Sequence, residues 1–156
     1  MTKTMLAAAA VLSAAAIGLT QVQAQAPAPT PVADVVAVRQ AGMGVLYGTW
    51  RGLRTAVEAK ADPKNYILAM KGVAAFGRQI PALFPTGSGV GRIGYPAIYE
   101  DRAGFEKAAA DLVAAAEAGL KAAQANDAEA FATAVKAVND SCGACHPRRF
   151  ADNWNK

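Results

Sequence analysis

Cys142, Cys145 and His146 stand within five residues of one another near the end of a 156-residue chain, in the stretch SCGACHPRRF, residues 141–150. They are both of the chain's cysteines and its only histidine. The order Cys142-Gly143-Ala144-Cys145-His146 fits C-x-x-C-H, the attachment motif of c-type haem. Each thiol can add across one vinyl group to form a thioether. The imidazole that follows then reaches the iron from the same side. Gly143 and Ala144 are small enough for a porphyrin edge to lie close to the backbone. Other uses of the same residues stay open. A structural zinc site takes four ligands, and the Cys and His of this chain supply three. A thioredoxin-like pair would follow a strand and open a helix. A disulfide here would close a loop too short to remove much chain entropy, and would leave His146 without a role.

With His146 on one face of an iron, the opposite face cannot take a second histidine. After the leader described below, Met43 and Met70 are the methionines of the chain. Spacing by itself makes Met43 an ordinary core side chain. A peroxidase-like enzyme would need a distal acid or base, and no histidine is left to supply one, so no enzyme activity is expected.

These residues must be positioned by helices. The first residues are a leader: Lys3, then an apolar run of 14 residues from Leu6 to Leu19, then Val22-Gln23-Ala24. The run is shorter than the roughly 20 residues that span a bilayer, and it ends in a small-x-small cleavage pattern. Residues 1–24 are therefore expected to be a cleaved signal peptide, which makes the mature protein periplasmic. Residues 25–32 are a Pro/Ala linker and residues 33–156 the domain. Without Lys3, 15 basic residues face 12 acidic ones, a charge near +3 with no basic tract, which gives no reason to expect nucleic acid.

Val36, Met43, Trp50 and Val57 recur every seven residues, with Leu46 and Leu53 between them, the pattern of a first helix. Asp62-Pro63 reads as an N-cap and first helical position, with a second helix running to about Ala82 and offering Ile67, Met70, Val73, Ala74 and Ile80 to the core. Pro81 and Pro85 end it, and the glycine-rich stretch 85–96 is a loop. A third helix is expected from about Tyr99 to Ala125, carrying Phe105, Leu112, Val113 and Leu120. Asn126 with Glu129 reads as a capping box for a fourth, which carries Phe131, Val135, Val138, Cys142 and Cys145 on one face. Pro147 should end or kink that helix at His146. No stretch alternates as a strand does. The fold class is all-α, an antiparallel four-helix bundle with covalently attached haem c. Its alanine-rich core has few large side chains, and a haem would fill the space they leave.

Arg39-Gln40-Ala41-Gly42-Met43 on the first helix, Leu83-Phe84-Pro85 and Pro96-Ala97-Ile98-Tyr99 in the middle, and CGACH near the end together resemble the cytochrome c′ family over nearly all of the mature chain. Within it the chain looks most like the low-spin cytochrome c-556 branch. The resemblance implies one covalent haem c held by Cys142 and Cys145, with His146 as proximal iron ligand. It implies Met43 as the distal ligand, at the position where gas-binding members carry Leu, Phe or Tyr. Arg39 and Gln40 match positions at the haem rim. The function so implied is single-electron transfer through a His/Met-ligated haem, with partner redox proteins. The alternative is a five-coordinate protein binding nitric oxide or carbon monoxide. Gly44, Gly48 and Gly52 lie four apart on the first helix, a strip that suits either a homodimer contact or room for the haem or for a neighbouring helix within the bundle.

Overall fold

The computed structural model describes residues 32–88 and 96–146. The expected signal peptide and all of the linker except Val32 lie outside the described residues. Helix α1 runs from Val32 to Glu58, so helix begins at the last position expected of the linker. Helix α2 spans Ile67–Gln79, a short α3 spans Pro96–Glu100, α4 spans Arg102–Ala125 and α5 spans Ala128–Cys145. Among the described residues there is no strand. Helices α1, α2, α4 and α5 form the expected four-helix bundle.

The helix ends correct the expectation in four places. Asp62 does accept a hydrogen bond, from the Lys64 amide at 2.9 Å, but the turn it caps is a 3-10 turn at Pro63–Tyr66, ahead of α2. The far end of the second helix is likewise 3-10, at Ile80–Leu83, where Pro81 has no N–H to extend the α ladder. The third helix is broken at Asp101, whose carboxylate accepts from the Gly104 amide at 3.0 Å and so caps α4 afresh. Asn126 is not a capping-box residue. It takes the left-handed conformation, with φ at 57°, and closes α4 by donating to the carbonyls of Ala122 and Ala123. Asp127 is the N-cap of α5 and accepts from the Ala130 amide at 2.9 Å.

The core has two ends. At one, α4 presents Ala115, Ala116, Gly119, Ala122 and Ala123, all buried, and its small side chains bring α2 and α5 close. Met70 of α2 is 0% exposed there. Its thioether lies over Gly119, where an added Cβ would come within 2.8 Å of the Met70 sulfur. Phe131 of α5 and Tyr66 close that end with their rings 6.0 Å apart. At the other end α4 offers Phe105, Ala108, Ala109 and Leu112, which line a cavity, with Leu112 also lying against Gly77 of α2.

Candidate functional site

The cavity has a volume of about 470 Å³, within the usual range for small-molecule sites. Cys142, Cys145 and His146 line it from α5 and its C-terminus. Arg39, Gln40 and Met43 line it from α1, so the structure brings together all six residues singled out in the sequence. Met70, the other methionine, is not among the wall residues.

The two thiols lie one helical turn apart on α5 and are both half-buried and free. Cys142 Sγ donates to the carbonyl of Val138 at 3.2 Å. Burial pushes both thiols above the ordinary cysteine value, and the neighbouring Cys142 and Asp111 charges push Cys145 further. His146 ends α5. Its amide donates to the carbonyl of Cys142 at 2.9 Å, yet its own φ of −113° and ψ of 139° are extended. That is the geometry the following Pro147 demands, so the expected helix end falls at this residue. Burial holds the imidazole below the ordinary histidine pKa, which favours the neutral form able to donate a lone pair to a metal. Among the described residues no group of three or more His, Cys, Asp and Glu side chains is placed to hold a metal ion by itself.

Met43 is half-buried and packs against the core from α1. Gln40 is exposed at the cavity edge. Arg39 is held quite differently from Gln40. It is 1% exposed, and its guanidinium donates to the carbonyls of Leu83 at 3.3 Å and Ser88 at 3.2 Å. Its flat face lies 4.1 Å from the centre of the Phe84 ring. Among the described residues no carboxylate pairs with it, and its Nε is buried without a hydrogen-bond partner. A buried cation without an anion is costly, so this wall suits an occupant that carries carboxylate groups. A haem, apolar in its body and bearing two propionates, has that character. The residues present therefore fit the group that the C-x-x-C-H spacing implies.

Ile80, Phe84 and Ile98 complete the wall. Phe84 and Ile98 belong to the two middle segments quoted above, but nothing in their spacing marked them as cavity residues. Gly44, Gly48 and Gly52 are exposed, and a Cβ added at any of them would meet nothing within 4 Å. The packing inside the bundle that one reading of these glycines required is absent from the described residues.

The family profile described as Cytochrome C' matches residues 34–149. Comparison with curated proteins finds no match. Among solved structures, the chain resembles cytochrome c′ from Thermochromatium tepidum with 26% identity and a TM-score of 0.72, over 80% of this chain and 100% of that one. A cytochrome c′ described as having an unusual ligand-controlled dimer dissociation matches at 24% identity and a TM-score of 0.72, again over 80% and 100% of the two chains. The nitric oxide complex of a mutant cytochrome c′ from Alcaligenes xylosoxidans matches at 21% and 0.72, over 80% and 99%.

Proposed function

The chain belongs to the cytochrome c′ family, whose members carry one covalently attached haem c, and on that premise we propose that it binds a small diatomic gas, nitric oxide or carbon monoxide, in the cavity between α1 and α5. Cys142 and Cys145 hold the haem as thioethers and His146 is the proximal ligand. Met43 stands on the distal side, with Arg39 and Gln40 at the rim. When bound, the haem supplies an iron that takes a diatomic ligand or passes one electron. The observation that carries the proposal is the wall itself. Leu46, Ile80, Phe84, Ile98, Phe105 and Leu112 surround the site with apolar surface, which admits a small uncharged gas. A mutant of the similar Alcaligenes xylosoxidans cytochrome c′ is solved as its nitric oxide complex, and that supports the reading.

One observation favours a second reading. Met43 lines the same cavity as His146, and Met70 does not. A thioether and an imidazole on one iron are the ligand pair of low-spin electron carriers and tend to raise the reduction potential. In that reading the chain is of the cytochrome c-556 kind and passes single electrons to partner redox proteins.

Absorption spectra of the purified protein, oxidised and reduced, separate the two. A high-spin spectrum that shifts readily with carbon monoxide is the outcome expected for the gas-binding reading. A low-spin spectrum indifferent to carbon monoxide, with a methionine–iron charge-transfer band that vanishes in Met43→Ala, would replace it with the second. A spectrum without a Soret band would overturn both.

Further parts of the reading concern where the protein works and with what. Its leader sends it to the periplasm. Among the described residues no helix is long and apolar enough to cross a membrane. The exposed glycines of α1, with Val45 71% exposed beside them, are the surface through which two copies would form a homodimer.

A further inference from the structure

Arg39 is the one charged side chain buried among the described residues. The two carbonyls it bonds belong to the segment that turns from the end of α2 to Ser88, and the Tyr99 hydroxyl of α3 is a further hydrogen-bonding and electrostatic partner. Tyr99 of α3 holds the same segment, with its hydroxyl 3.1 Å from Ser88 Oγ and donating to the carbonyl of Pro85 at 3.3 Å. Arg102 of α4 donates to the carbonyls of Phe84 at 2.9 Å and Pro81 at 2.8 Å. Carbonyls outside a helical ladder need donors when they are shielded from water. Here α1, α3 and α4 each supply them. The side chain fixed by this arrangement is Phe84, 4% exposed, which lines the cavity. Arg39 and Met43 are four residues apart on α1 and so share a face.

We propose that Arg39 is a positioning residue that clasps the Leu83–Ser88 turn, sets Phe84 against the cavity beside Met43, and thereby governs how fast a small ligand enters. The inference rests on the reading of the cavity as a haem site. It differs from a rim contact made by charge alone, because the clasp uses the planar fork of the guanidinium to reach two carbonyls at once. Lysine keeps the charge and loses the fork, which allows the two roles to be separated.

The test uses the haem-loaded protein carrying Met43→Ala, so that no thioether competes for the iron, and follows carbon monoxide rebinding to the reduced protein after a light flash. Arg39→Lys is expected to raise the bimolecular rate roughly tenfold, the factor that loss of one charge-assisted hydrogen bond allows, and to leave the reduction potential in place. Arg39→Gln is expected to raise the rate equally and also to shift the potential. Ser88→Ala keeps every hydrogen-bond partner of Arg39, whereas Tyr99→Phe removes a phenol that holds both the turn and Arg39, and each is expected to raise the rate by a smaller factor at unchanged potential. An unchanged rate in Arg39→Lys overturns the clasp. Should that variant fail to fold, unchanged rates in both Ser88→Ala and Tyr99→Phe overturn it as well. A preparation with no Soret band overturns the haem reading beneath the inference instead.

Discussion

Replacing Met70 by alanine removes a side chain that is 0% exposed from the contact between α2 and α4. Full burial of such a side chain contributes about 1.5–3 kcal/mol from transfer alone. The space it leaves cannot easily close. Its sulfur lies over Gly119, and Ala134 is the next side chain there, so the surroundings are small groups on rigid helices. Met→Ala substitutions in cores cost about 2–5 kcal/mol, and a site that cannot collapse belongs in the upper half, about 3.5–5 kcal/mol. Met43 is half-buried at a cavity wall, so Met43→Ala should cost only about 1 kcal/mol. The assay is guanidinium unfolding followed by circular dichroism, with an absorption spectrum of each variant. Met70→Ala should lose stability and keep the wild-type haem spectrum. A loss below about 1 kcal/mol would refute the packing argument. A changed spin state in Met70→Ala, with none in Met43→Ala, would show that the wrong methionine has been placed in the wall.

Asp127→Ala should cost about 1 kcal/mol in the same unfolding experiment, because it removes the N-cap of α5, whereas Asn126→Gly should stay within a few tenths, since glycine takes the left-handed conformation freely. The reverse order would restore Asn126 as the capping residue. Burial lowers the proton affinity of His146, so the unfolded chain binds that proton more readily than the folded one. In the haem-free chain stability should therefore fall as pH drops through the ordinary histidine value near 6.5, and a pH dependence that persists in His146→Gln would assign it to other groups. Gly48→Glu on the outward face of α1 should convert a dimer to a monomer in analytical ultracentrifugation. A wild-type protein that sediments only as monomer at high concentration removes the dimer.

Helix types and the broad architecture were legible because apolar residues recur at helical spacing, from Val36 to Val57 and from Phe131 to Cys145. The junctions were less so. Asn126 and Asp127 are adjacent and both suit caps, and only the backbone shows that the first closes α4 while the second opens α5. The candidate attachment residues Cys142 and Cys145, with His146, lie within five contiguous positions and line one cavity. The wall around them was not legible, because Phe84, Ile98 and Leu112 come from three separate elements and carry no shared spacing. Arg39 shows the limit most clearly. Its place in an Arg-Gln segment suggested contact with a cofactor edge, and no pattern in the chain says that its guanidinium reaches the carbonyls of Leu83 and Ser88, 44 and 49 residues away.

The conformation of His146 divides the mechanical roles at the end of the chain. Both thiols ride on a stiff rod, whereas the imidazole sits on the first residue beyond it, joined through a single amide bonded back to Cys142. Two anchors on a helix resist displacement together. A ligand on an extended residue can pivot about its own backbone without unwinding the helix. In the proposed haem site, compliance would therefore belong to the iron bond and stiffness to the tether, so a pull on the chain past residue 146 would reach the metal before it reached the attachment.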